Sequence, residues 1–299
     1  MREGVMGQQA TILVTGVNGQ VGYELLRSLQ GLGRVVGLDR AALDLDSPDA
    51  IRRVVREVKP TIIVNPAAYT AVDKAESDVE RAQRLNVQAP ALLAEEAKRL
   101  GAALVHYSTD YVFDGTKDTP YVETDTVNPQ NVYGKTKLEG EQAILASGCD
   151  HLVLRTSWVY GTRGKNFLLT MLKLGAERDE VSVVADQIGA PTWSRTIAAS
   201  TAHVLAQATH AADRGQWWAQ QSGVYHLTAG GATSWHGFAE AIFELSSLAK
   251  RPVVKPIPAS SYRTPAIRPA NSRVSNDKFA AAFGVRAPDW REALALCMQ

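Results

Sequence analysis

Residues 10–33 read "ATILVTGVNGQVGYELLRSLQGLG". The run 10–16 is short, apolar and stopped by a glycine, the pattern of a buried strand. Val21, Leu25, Leu26 and Leu29 then recur at helical spacing, and glycines close the segment. Between strand and helix stand Gly16, Gly19 and Gly22. Gly16 permits a tight turn, Gly19 lets the backbone approach a pyrophosphate, and Gly22 lets the helix pack close to the strand. The helix start, with Asn18, Gln20 and Val21, offers free N–H groups and a partial positive charge to phosphates. The same spacing also suits a plain strand-to-helix turn, so the glycines gain meaning only from the rest of the chain.

The same unit repeats downstream. "RVVGLD" (34–39) reads as a strand, and "SPDAIRRVVREVKP" as a helix with a serine cap and proline at its first position. "TIIVN" (61–65), "AALVHYS" (102–108) and "HLVLRTS" (151–157) read as strands. "VERAQRLNVQAPALLAEEAKRLG" reads as one long helix and "YGKTKLEGEQAILAS" as another. Apolar strands alternating with helices imply an α/β fold, a Rossmann-like doubly wound parallel sheet covered on both faces. Later segments keep a looser rhythm. Helices are expected at 166–177, 194–208 and 234–249, strands at 180–186 and 223–228, and a loop at "DRGQWWAQQSG" (213–223) whose tryptophans either pack underneath, the favoured reading, or mark a contact surface. The chain divides into an N-terminal extension (1–9), a mainly dinucleotide-binding domain (10–165) and a smaller, mainly substrate-binding region (166–299). Some segments of the last are expected to return to the sheet.

Composition sets the bounds. The 299 residues are 45% hydrophobic and 21% charged, with a formal net charge of +1. That is ordinary for a globular enzyme and gives no footprint for nucleic acid or an acidic membrane surface. No apolar run approaches the ~20 residues that span a bilayer. Two cysteines, Cys149 and Cys297, argue against a disulfide framework and point to a reducing cytoplasm. The six histidines are scattered and read as structural, and no grouping has metal-ligand spacing.

Asp39 ends the second strand, about twenty residues after the glycines, where a carboxylate can accept from ribose hydroxyls and favour NADH. Arg40 follows at once, where a guanidinium can hold a 2′-phosphate and favour NADPH. The two point opposite ways, so either cofactor stays open. Asp44 and Leu45 begin the next turn, in reach of an adenine. Tyr133 and Lys137 stand four apart on a helix and so share a face. A free tyrosine has a pKa near ~10, and a lysine beside it favours the phenolate. "HYSTDYVFDG" (106–115) follows a strand, so Thr109 and Asp110 sit at a carboxyl end, where open parallel sheets bind ligands.

Glycine turn, strand-end Ser-Thr-Asp and Tyr-x-x-x-Lys, in that order, resemble the extended short-chain dehydrogenase/reductase family. "NPAAYTAVDKAE" (65–76), "LRTSWVYG" (154–161), "GAPTWSRTIA" (189–198) and "TPAIRPANSRVSNDKF" (264–279) narrow the resemblance to the dTDP-4-dehydrorhamnose reductases within it. The resemblance implies NAD(P)H-dependent reduction of the C4 ketone of a dTDP-4-dehydro sugar. Tyr133 would give the proton, Lys137 would tune it and grip the ribose, and Thr109 would orient the carbonyl. Ala67, Ala68, Tyr69 and Thr70 would lie along the cofactor. Asp110, Tyr111 and Trp158 would meet the sugar, and Arg268 and Asn271 the nucleotide portion. Some relatives hold Mg²⁺ in an acidic cluster at a dimer interface. Arg195 stands here where a glutamate is wanted, which counts against the metal and leaves monomer and homodimer open. Two rival readings remain within the resemblance: another nucleotide-sugar reductase or epimerase, and a non-catalytic regulatory subunit like that of methionine adenosyltransferase.

Overall fold

The computed structural model describes residues 10–299, so the extension expected at 1–9 lies outside the described residues. The chain begins with β1 (Ala10–Val14), α1 (Gln20–Ser28), β2 (Gly33–Gly37), α2 (Pro48–Val58) and β3 (Ile62–Asn65). Two short helices come next, α3 (Val72–Ala75) and α4 (Val79–Gln83), then α5 (Ala89–Leu100), β4 (Ala103–Thr109), α6 (Val132–Ser147) and β5 (Asp150–Thr156). The later chain adds β6 (Val159–Tyr160), α7 (Phe167–Glu177), β7 (Glu180–Val184), β8 (Ile188–Gly189), β9 (Thr192–Trp193), α8 (Ser194–His210) and α9 (Arg214–Gln221). It closes with β10 (Gly223–His226), β11 (Thr233–Ser234), α10 (Trp235–Leu245), β12 (Val253–Ile257), α11 (Asp277–Phe283) and α12 (Trp290–Cys297). Among the described residues no helix is long and apolar enough to cross a membrane.

Six strands form one parallel sheet in the order β10-β5-β4-β3-β1-β2. Successive side chains of a strand point to opposite faces. Ile12 and Val14 therefore join the core under α1 and α8, while Leu13 joins the one under α2 and α5. Burial on both faces explains why these strands read as continuous apolar runs. The chain steps from β1 outward to β2 and then returns to β3 on the other side of β1. That reversal opens a crevice beyond the strands' carboxyl ends, where such sheets bind ligands. A third core, around Tyr160, Met171, Val183, Phe238 and Trp290, holds much of the later chain together.

Two expected elements differ. The long helix over 79–101 is broken by a π-turn at Arg84–Gln88, because fully buried Asn86 sits there with its side chain spent on neighbouring segments. The stretch 213–223, expected as a loop, is largely helix α9. Asp213 caps it by accepting from Gln216 N–H, and Trp218 buries itself in the core with Trp217 edge-on to it.

Helix α6 carries the Tyr–Lys pair and is tied to β5 by a buried ion pair. Arg155 Nε and Nη2 donate to Glu141 at 3.0 and 2.7 Å, with both side chains almost wholly enclosed. Removing one partner of such a pair strands the other charge, at a cost of about 3–5 kcal/mol. Glu141→Ala is expected to lower the urea midpoint accordingly, and Glu141→Leu with Arg155→Met to recover most of the loss. A Glu141→Ala midpoint equal to the parent's would show that the pair does not anchor α6.

Candidate functional site

The crevice contains a cleft of about 630 Å³, large enough for a dinucleotide's inner half and a sugar. One wall is the turn after β1. Gly16 lies at φ +56°, a conformation that favours glycine, and an added Cβ would stand 2.9 Å from the Ala67 side chain. Gly19 caps α1 without any side-chain acceptor, so the helix's first N–H groups have no side-chain partner. That is the setting a pyrophosphate completes. Gln20, Val21, Ala67, Ala68 and Thr70 line the same cleft. A smaller slot of about 190 Å³ adjoins it, walled by Leu43, Leu45, Leu85, Ala67 and Ala68, with Arg40 and Asp44 at its edge. Its apolar walls suit a purine. Ser108 Oγ and Thr156 Oγ1 are buried without a partner on the floor of the main cleft. These features fit a nicotinamide dinucleotide.

The other wall carries the polar groups that the sequence offers for catalysis. Tyr133, Lys137, Thr109, Asp110, Tyr111 and Trp158 all line the cleft. Burial pushes Tyr133 up to about 12, with the Thr109 hydroxyl opposing and the Asp110 charge adding. Its phenol therefore stays protonated through neutral pH, ready to donate. Burial pulls Lys137 down to about 8, against the Glu141 charge. The expectation that Lys137 lowers the Tyr133 phenol is not what this geometry gives. Lys137 Nζ turns away, 2.9 Å from His106 Nε2 and 2.6 Å from the Tyr107 carbonyl it donates to. Thr109 donates to Asp110 Oδ1 at 3.0 Å and accepts from Tyr111 N–H at 3.2 Å. Burial raises Asp110 to about 6, opposed by hydrogen bonds from Ser272 and Thr109. Its Oδ2 is buried without a geometric partner, so the carboxyl gains its charge only as pH rises through about 6.

Trp158 holds a left-handed backbone at φ +47°. For a bulky residue that costs about 1–3 kcal/mol, and such strain collects at functional sites. Trp235 stacks on its ring at a centroid distance of 3.5 Å and an interplanar angle of 8°. The Gly189 backbone lies against the ring too, since an added Cβ would come within 2.5 Å of Cε2. The flat apolar wall expected of this indole is therefore largely taken.

Other expected residues lie elsewhere. Tyr69 is absent from the cleft walls: its hydroxyl donates to Asp78 at 3.0 Å, and its backbone N–H and carbonyl are both spent on Asn86. Asn271 is also outside the cleft, with Nδ2 donating to the Lys117 and Thr119 carbonyls and Oδ1 accepting from Arg273. It pins the C-terminal strap to the loop after β4. Arg268 gives Nη2 to Asp73 at 2.8 Å and leaves Nη1 buried without a partner, near Tyr111. Asp39 Oδ1 caps the turn after β2 by accepting from Ala41 and Ala42 N–H, while Asn18 Nδ2 reaches Oδ2 at 3.3 Å. The Arg40 guanidinium is mostly exposed, 3.8 Å from Asp44 and Asp46. Among the described residues no group of three or more His, Cys, Asp or Glu is placed to hold a metal ion. Sequence reasoning missed Asn65 and His106 behind Lys137, Asn86 in the π-turn, and Trp235. None carries a spacing signal, because each meets its partner across a strand pair or between elements.

A family model described as RmlD substrate binding domain matches residues 10–299. The chain is 54% identical over 295 residues to the dTDP-4-dehydrorhamnose reductase of Burkholderia thailandensis, covering 96% of this chain and 98% of that one. It is 44% identical over 288 residues to the protein of the same name from Escherichia coli, covering 94% of each. A crystal structure of dTDP-4-dehydrorhamnose reductase from Bacillus anthracis in complex with NADP superposes with a TM-score of 0.88 at 33% identity, covering 97% of this chain and 99% of that one.

Gly134 stands next to Tyr133 for a steric reason. A Cβ there would stand 2.3 Å from the Tyr111 carbonyl oxygen, so the loop bearing Thr109 and Asp110 can lie directly on α6. Alanine would gain about 1 kcal/mol of helix propensity but push the loop off. Gly134→Ala is expected to lower kcat/KM about 100-fold, since a displacement near 1 Å costs that much in a preorganised site. Unchanged kcat/KM would show that the close approach does not position the loop.

Proposed function

The chain belongs to the RmlD substrate binding domain family, and we propose on that premise that it reduces the C4 ketone of dTDP-4-dehydro-β-L-rhamnose to dTDP-β-L-rhamnose. It is an NAD(P)H-dependent oxidoreductase. The observation that carries the reading to this chain's own chemistry is the placement of Tyr133: a protonated phenol facing the same cleft as an uncapped glycine turn.

When bound, the nicotinamide supplies hydride to the ketone carbon. The protein's own groups do the rest. Tyr133 gives its proton to the oxygen that gains charge, which a phenol held near 12 can do at neutral pH. Thr109 is fixed beside Tyr133 by donating to Asp110 Oδ1 and accepting from Tyr111 N–H, and from there it orients the phenol toward that oxygen. Lys137 lines the same cleft, where its charge holds the ribose. Ser108 and Thr156 supply unspent hydroxyls for the nicotinamide end. Trp158, its faces covered, offers the sugar an edge and its N–H. Arg268, whose Nη1 is buried near Tyr111, is the cationic donor assigned to the diphosphate. Buried, unpaired Cys149 and Cys297 support a cytoplasmic setting.

Tyr133→Phe is expected to cut turnover about 10²–10⁴-fold, the usual worth of a positioned acid, with NADPH affinity nearly unchanged. Retained turnover would take the proton-donor role from Tyr133. Arg40 stands at the edge of the purine slot with only distant carboxylates for company. Arg40→Ala is expected to weaken NADPH more than NADH in titrations of the free enzyme. Equal losses would exclude a 2′-phosphate contact.

A further inference from the structure

Behind Lys137 runs a line of buried polar groups that the reduction leaves unused. Lys137 Nζ is 2.9 Å from His106 Nε2. His106 Nδ1 is 3.0 Å from Asn65 Nδ2, and Asn65 Oδ1 accepts from the Thr15 hydroxyl at 2.6 Å. Asn65 and His106 are register partners on β3 and β4, and Thr15 directly precedes Gly16. All four side chains are buried. The line therefore joins the catalytic lysine to the start of the glycine turn.

Counting donors and acceptors along it yields a constraint. An amide nitrogen and an ammonium only donate, while a neutral imidazole has one donor and one acceptor. Burial and the neighbouring Lys137 charge keep the His106 ring neutral. With Asn65 Nδ2 facing Nδ1, the ring proton sits on Nε2, and that N–H needs a lone pair on Lys137, which only the amine has. An ammonium instead needs Nε2 as acceptor. The ring proton must then sit on Nδ1 and meet Asn65 Oδ1, so the amide is reversed and Thr15 becomes the acceptor. The ammonium arrangement holds one proton more than the amine arrangement, and the ring's single proton has moved from Nε2 to Nδ1.

We propose that His106, Asn65 and Thr15 are positioning residues that read the charge of Lys137, each charge state matching one His106 tautomer and one orientation of the Asn65 amide. None touches the substrate. The groups facing Lys137 are few. Tyr133 and Glu141 lie one turn away on its own helix, Glu141 already paired with Arg155 of β5. His106 comes from β4, and Asp110 directly succeeds that strand. The exchange therefore centres on the pH at which Lys137 loses its proton, about 8, and turnover that needs the cation declines as pH rises through that value.

The test tracks the ring nitrogens of His106 by ¹⁵N NMR in the NADP-bound enzyme, across the pH range on either side of about 8. The expected result is a change from the Nδ1–H to the Nε2–H tautomer with the same midpoint as the basic limb of kcat. A single tautomer throughout that limb would overturn the proposal. Asn65→Asp presents only acceptors to His106, holds the Nδ1–H tautomer, and is expected to move the limb up by about one pH unit or more. His106→Phe is expected to lower kcat about ten- to hundredfold, the worth of a lost hydrogen bond to a charged group, with His106→Gln restoring much of it. A limb unmoved in folded Asn65→Asp protein would also overturn it, and the parent enzyme's titration decides the matter if that variant does not fold.

Discussion

Lys137 brings an amine into a place with 1% of its surface exposed. A group that carries charge cannot stay there without hydrogen-bond partners. The Tyr107 carbonyl and His106 supply them from β4, Asn65 of β3 holds His106, and Thr15, just after β1, holds Asn65. The middle of the sheet is thus polar at its carboxyl end, although its strands are otherwise apolar. Burial also lowers the lysine to about 8, so its charge can change within the range in which an enzyme works.

The same requirement explains why α6 is fastened on every side. Arg155 and Glu141 tie it to β5. Asn86, placed by the π-turn, donates to Thr136 of α6 while gripping the Tyr69 backbone, so helix and the loop after β3 share one anchor. Asn131 caps the helix by accepting from Gly134 N–H and donates to the Ile267 carbonyl, which ties the segment around Ile267 to the start of α6. Tyr133 gains its precision from these contacts rather than from anything in the Tyr-x-x-x-Lys spacing.

The C-terminal strap shows how a distinctive sequence can mark structure as much as ligand contact. In "TPAIRPANSRVSNDKF", Asn271 and Arg273 bind the carbonyls of the loop after β4, and Ser272 N–H donates to Ile188. Arg268 alone keeps a buried donor in reserve. Trp158 makes the same point from the other side. Its identity was evident as a contact candidate, but its strained backbone and the stacked Trp235 decide which part of the indole remains available.

The sequence by itself determined the parallel sheet, the glycine turn and the shared face of Tyr133 and Lys137. Those come from periods of two and 3.6 residues and from the backbone freedom of glycine, all of which act over a few neighbours. It also placed Thr109 and Asp110 at a strand end, because strand and turn are contiguous. Only the tertiary structure decided that Lys137 faces His106, that Tyr69 turns to Asp78, and that 213–223 packs as a helix. It also decided that Asn271 is a pin. Each of these is settled by a partner outside its own element, nine residues away for Tyr69 and tens of residues away for Lys137 and Asn271, or by burial against another element, and neither leaves a periodic trace in the chain.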